Sequence, residues 1–241
     1  MRPFVFVISL VCLSNPATAA DDSGSPALII EQLRTLCDAD DAEGCLKLGG
    51  VLALYPEHAK NGETIEELSL RACQLGATKG CALAGPYFEA RGGKENLNRA
   101  FELYTQGCEG GYATGCAVLG TLLLSYPAPG GDPAAALAAY ERACAAGEGL
   151  GCGGVARIFT EGIGVPADPG KALELNEQGC GLDDAHSCYN AGQGYAFPKG
   201  GGETNYPVAA YYFNSACKLG LQPGCTNTNA ITSQGIMPAA P

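Results

Sequence analysis

An all-α fold is predicted from the sequence: a solenoid of helix hairpins recurring about every 36 residues, each carrying one local disulfide. Three observations predict it. Twelve of the thirteen cysteines form six pairs: Cys37 and Cys45, Cys73 and Cys81, Cys108 and Cys116, Cys144 and Cys152, Cys180 and Cys188, and Cys217 and Cys225. Each pair is separated by eight positions, and successive pairs begin 36, 35, 36, 36 and 37 residues after the one before. Counted from each of the first five second cysteines, small or apolar residues recur at positions 0, 3, 4 and 7, which share one face of an α-helix. Lastly, Gly76, Gly111, Gly147 and Gly220 stand three residues past a first cysteine, and glycine is the usual left-handed stop of a helix.

The elements follow in chain order. Residues 1–19 read as a secretory signal, with Arg2 ahead of an apolar run from Phe4 to Leu13 and a small-residue cleavage site at Ala17-Thr18-Ala19. A bilayer core needs about 20 apolar residues, so no stable membrane insertion is expected. Loss of the leader removes Cys12 and leaves an even number of cysteines, suited to complete pairing in a periplasmic or secreted protein. Ser25-Pro26 then opens a capping helix within 20–43, with serine as N-cap and proline at the first helical position. Five repeats occupy 44–79, 80–114, 115–150, 151–186 and 187–223. A half-repeat and tail fill 224–241, with Met237 to Pro241 expected to fray.

Within each repeat, helix A begins around the second cysteine, which follows Gly44, Gly80, Gly115, Gly151, Ser187 or Gly224. Its packing face carries Leu48, Gly49 and Leu52 in the first unit and Leu119, Gly120 and Leu123 in the third. The small residue marks where a neighbouring backbone approaches. Helix B precedes the next pair, with Ile65, Ala100, Ala136, Ala172 and Ala209 eight residues before the first cysteine. Asp40 and Asp183 take the place of the closing glycine in two units, although aspartate tolerates the left-handed conformation less readily. Gly/Pro-rich loops separate A from B. A hairpin this short cannot bury its apolar face alone, so the units must stack.

The cysteines read as disulfides rather than zinc ligands. Zinc sites favour cysteines two to four residues apart, and only His58 and His186 could add imidazoles, so no metal or other cofactor is expected. On a continuous helix, eight residues would separate the two Cα atoms by about 12 Å. A disulfide spans about 7 Å at most, so the chain must reverse between the partners. Each bridge then ties the end of helix B to the start of the next helix A.

Composition narrows the function. A 46% hydrophobic content supports a sizeable core, while a net charge of −11 lacks the clustered cations that nucleic acid requires. The arrangement resembles the Sel-one-like repeat (SLR) family, a relative of the tetratricopeptide repeats. The fourth unit carries the likeness in Phe159-Thr-Glu-Gly162-Ile-Gly164-Val165-Pro-Ala-Asp168-Pro-Gly-Lys171-Ala172, and the cysteine spacing is similar to the Helicobacter-type cysteine-rich subgroup. That resemblance implies a right-handed α/α solenoid acting as a binding scaffold. The partner would be a protein or peptide, or a cell-wall fragment, held by a monomer.

Positions 2, 5, 6 and 9 after each second cysteine point away from the packing face of helix A. They place Lys47, Leu54, Leu83, Tyr87, Val118 and Leu122 on a candidate binding stripe, continued by Arg157, Ile158, Glu161, Asn190, Gln193 and Phe197. Members of the cysteine-rich subgroup are often labelled putative β-lactamases or penicillin-binding proteins, so a weak hydrolase is the alternative. Ser215-Ala-Cys-Lys218 is a formal Ser-x-x-Lys match. No Ser-Asp-Asn or Lys-Thr-Gly motif follows it, and no residue is assigned a catalytic role.

Overall fold

The computed structural model describes residues 25–60, 62–125, 132–199 and 202–241; the segment expected to be a secretory signal, with Cys12, lies outside them. Twelve α-helices and no strand occur among the described residues. In order they are α1 (Pro26–Asp38), α2 (Ala42–Leu54), α3 (Ile65–Gln74), α4 (Thr78–Arg91), α5 (Lys94–Glu109) and α6 (Ala113–Ser125). There follow α7 (Pro133–Ala145), α8 (Gly149–Glu161), α9 (Pro169–Gly181), α10 (Ala185–Ala196), α11 (Tyr206–Lys218) and α12 (Gln222–Thr232). Even-numbered helices are helix A and odd-numbered ones helix B. Each packs on the next in sequence, and α4, α6, α8 and α10 also pack side by side.

Six identical reversals join B to A. In every one, the first cysteine's carbonyl accepts from the N–H three residues on, as in Gly76 N to Cys73 O at 3.0 Å. The carbonyl just before that cysteine accepts from the N–H five residues on, as in Ala77 N to Ala72 O at 2.9 Å. This is the Schellman pairing, and it requires a left-handed residue. Gly76, Gly111, Gly147 and Gly220 supply it, and Asp40 (φ 61°) and Asp183 (φ 60°) adopt it as well. The reversal brings the paired cysteines to Cα separations of 4.4–4.7 Å, and all six local disulfides form.

Helix starts are fixed by side-chain caps from Ser25, Asp41, Thr64, Asp132, Asp168, Asp184 and Asn205. At the N-terminal end, the buried Arg34 of α1 clamps the α2–α3 loop. It donates to Glu63 Oε2 at 2.7 Å and to the His58 carbonyl at 3.2 Å, and it holds the Glu63 carboxyl below the usual carboxylate range. In unit four, Gly162 and Gly164 turn left-handed, Asp168 N–H donates to Phe159 O, and the Lys171 ammonium lies 4.0 Å from the Phe159 ring centroid.

The C-terminal end departs from expectation. The tail does not fray at Met237: Ala239 N–H donates to Pro207 O at 3.0 Å, and Ile236 packs on the cluster of Ala209, Ala210 and Phe213. Helix α12 also carries Thr228, Asn229 and Thr232 where α2 has Leu48, Gly49 and Leu52. A polar face ends the stack at that position.

A ring-on-glycine contact between helices A and B recurs. Tyr104 lies over Gly85, Tyr140 over Gly120 and Phe213 over Gly192, each ring four residues before a first cysteine. A Cβ on Gly85 would fall 2.4 Å from Tyr104 Cζ, whereas one on Gly50 would meet nothing within 4 Å. Gly85→Ala should therefore destabilise the protein by about 2 kcal/mol through overpacking. Gly50→Ala should stabilise it by about 0.5–1 kcal/mol through helix propensity. Thermal unfolding of the oxidised variants checks both signs.

Candidate functional site

The ring position is not filled in every unit. Four residues before their first cysteines, units one and four carry Ser69 and Asn176 in place of an aromatic ring. Both are buried, at 3% and 6% exposure, and a cleft opens along the helix A face beside each. The larger, about 880 Å³, lies between α8 and α10 over α9; the smaller, about 600 Å³, lies between α2 and α4 over α3.

The larger cleft has apolar walls from Tyr140, Leu150 and Leu173. Gly153 and Gly154 of α8 and Gly194 of α10 border it, with Ser187 Oγ, the Tyr140 ring and Leu173 packed against them. Its floor holds two polar groups that no described residue satisfies, Asn176 Oδ1 and Ser187 Oγ. Ser187 stands where other units have glycine, and Gly153 and Gly179 make room for it, since a Cβ on either would fall within 2.6 Å of Ser187 Oγ. Around the mouth are Arg157, Glu161, Asn190, Gln193, Phe197, His186 and Lys199, all exposed. Planar amides, a guanidinium and an aromatic ring make a surface that hydrogen-bonds and stacks. Among the described residues no group of three or more His, Cys, Asp and Glu side chains could hold a metal ion.

Behind the floor, Glu177 accepts from Tyr195 Oη at 2.6 Å and Tyr212 Oη at 3.1 Å, and the two rings stack with centroids 5.7 Å apart. The hydrogen bond to Glu177, followed by burial, pushes the Tyr195 phenol up to about 12. Burial, followed by the Glu177 charge, raises Tyr212 as well. This cluster holds α9, α10 and α11 together under the cleft.

Of the stripe read from sequence, Arg157, Glu161, Asn190, Gln193 and Phe197 line the larger cleft, and Lys47, Leu83 and Tyr87 the smaller. Leu54 is exposed outside both. Leu122 and Ile158 require correction: they are core residues, at 7% and 0% exposure, and Val118 is half-buried against the same core. Each helix A packs on its neighbouring A helices as well as on helix B, so the flank that carries these residues is covered. Asn176 and Ser187 were not among the candidates. The missing aromatic at position 176, visible on aligning the B helices, is the signal that finds the floor. Ser215 donates to the Tyr211 carbonyl within α11 at 3.1 Å, and its neighbour Cys217 is bridged to Cys225.

Two outcomes follow. Ile158→Glu should unfold the protein or destabilise it by several kcal/mol, as a buried unpaired carboxylate does, whereas Phe197→Glu should change stability by less than about 0.5 kcal/mol. Thermal midpoints check the contrast. An unfolded tyrosine titrates near 10, so the raised Tyr195 pKa contributes stability that is present below pH ~10 and is lost as pH rises to about 12. Denaturant titrations over that window should show a steeper decline for the wild type than for Glu177→Gln.

Comparison with known proteins follows the same architecture. The Sel1 repeat profile matches residues 78–112, 149–184 and 185–221. No curated protein matches the chain. A protective antigen of uropathogenic Escherichia coli displaying an SLR fold is 20% identical over 85% of this chain, with a TM-score of 0.73; the match covers 44% of that antigen's chain. A Sel1 repeat protein from Oxalobacter formigenes is 20% identical over 88% of this chain and 90% of its own, with a TM-score of 0.71. Cysteine rich protein B of Helicobacter pylori is 28% identical over 55% of this chain and 94% of its own, with a TM-score of 0.44. The chain thus carries three matches to the Sel1 repeat and, like the Escherichia coli antigen and the Oxalobacter formigenes protein, has the Sel1-like repeat fold.

Proposed function

We propose that this chain is an exported scaffold that binds a protein or peptide along its helix A face. The observation that carries the reading is the larger cleft. It is open along two A helices, apolar in its walls and rich in amides at its mouth, which suits an extended chain with both side chains and backbone to satisfy. Six disulfides support an oxidising compartment outside the cytoplasm. No described helix is long and apolar enough to cross a membrane.

Peptides selected from a displayed random library against the oxidised protein test the binding reading. Combined Arg157→Ala, Asn190→Ala and Gln193→Ala should weaken the selected peptides at least about tenfold, the loss of one or two hydrogen bonds, with an unchanged thermal midpoint. Glu141→Ala, on helix α7 outside the cleft, should leave them unaffected. Selected peptides indifferent to the triple variant would overturn the assignment. Export is checked separately: alkylation of the native protein under denaturing, non-reducing conditions should label none of the twelve repeat cysteines, and the mature N-terminus should fall near Ala20. Two or more labelled cysteines, or a retained leader, would contradict it.

A further inference from the structure

The fourth unit lacks a ring that three other units possess. Tyr104, Tyr140 and Phe213 each cover a glycine of helix A, at Gly85, Gly120 and Gly192. At the matching positions unit four has Asn176 and Ala156. Asparagine is smaller than a ring, and the alanine methyl takes up only part of the difference. A slot bordered by Tyr140, Leu150 and Leu173 results, and at its base the Asn176 amide has an Oδ1 with no hydrogen-bond donor among the described residues. Apolar walls closing on an unused amide define a specific shape and polarity.

We infer that this slot receives an aromatic side chain with a polar edge, tyrosine foremost, from the bound peptide, so that the partner supplies the ring that unit four lacks. The inference rests on the binding-scaffold reading and names its anchor. A purely apolar ring would bury the Asn176 amide without a partner, which costs more than the ring's burial difference recovers. A phenolic hydroxyl both donates and accepts, so it satisfies the amide in either orientation. An aliphatic side chain covers less of the walls. A charged group would lose its hydration against the apolar walls, and the Asp184 carboxylate that lines the cleft is already engaged in capping α10. Arg157 stands at the mouth with no ion-pair partner among the described residues, and a guanidinium there stacks on an entering ring.

The test titrates N-acetyl-tyrosinamide, N-acetyl-phenylalaninamide and N-acetyl-leucinamide into the oxidised wild-type and variant proteins, reading the backbone amides of Gly153 and Gly194, which line the cleft, by NMR. Tyrosinamide should bind tightest, by about tenfold over leucinamide and severalfold over phenylalaninamide. Asn176→Ala should erase the preference for tyrosinamide over phenylalaninamide. The double substitution Ala156→Gly with Asn176→Tyr rebuilds the ring-on-glycine pair of the other units; it should keep or raise the thermal midpoint and abolish tyrosinamide binding. Equal binding of all three amides, or tyrosinamide binding that survives a folded double variant, overturns the slot assignment. If the double variant does not fold, the wild-type ranking and Asn176→Ala decide alone. Failure of the amides while library peptides still depend on Arg157, Asn190 and Gln193 would refute the anchor and leave the scaffold reading intact.

Discussion

The reversal from helix B into the next helix A governs the rest of the molecule. Two backbone hydrogen bonds and one disulfide close it, and all six copies make the same bonds at the same positions. Helices of adjacent units then meet so closely that a Cβ on Gly80 would fall 2.7 Å from the Ser69 carbonyl, and one on Gly224 2.6 Å from that of Phe213. The glycine before the second cysteine is therefore a steric requirement of the turn. The loop-entropy account of disulfides credits each closure with roughly 2.5 kcal/mol, but the geometric effect reaches further. Once the turn is fixed, the rotation at which the next helix A enters its layer is fixed with it.

That fixed rotation places the residue four before each first cysteine opposite the small residue four after the preceding second cysteine. Where the pair is ring and glycine, the layer is closed. Where it is Asn176 and Ala156, or Ser69 and Gly49, the layer stays open and a cleft appears. The candidate site of this chain thus comes from a local departure within a regular scaffold, not from an added loop or domain. Ser187 shows the same logic at the turn itself: a serine in the glycine position is tolerated because Gly153 and Gly179 withdraw around it.

The sequence made the reversals, the cross-links and the hairpins legible because each depends on residues fewer than ten apart. The left-handed turn needs glycine or an aspartate that accepts strain, and eight intervening steps admit a disulfide only across a turn. The stripe on helix A was legible only in part. Helical periodicity says which residues avoid helix B, but not that a neighbouring helix A covers one flank, and this is why Leu122 and Ile158 are core. Asn176 escaped for a related reason: a polar residue in a helix of mixed composition attracts no notice until its counterparts are aligned as rings. The docked tail depends on Pro207, some thirty residues away, a contact no local pattern reports.

All six cross-links join cysteines eight residues apart, each at the seam where helix B of one unit turns into helix A of the next, and none reaches beyond adjacent units. Twelve thiols could in principle pair in thousands of ways, yet here each correct partner is also the nearest one along the chain. Oxidation can proceed in order of emergence, one turn at a time, without waiting for distant segments to arrive. The finished molecule is covalently a string of small closed rings. Each ring locks the seam between successive units, so under load the seams stay shut and compliance is left to the loops between helix A and helix B within a unit.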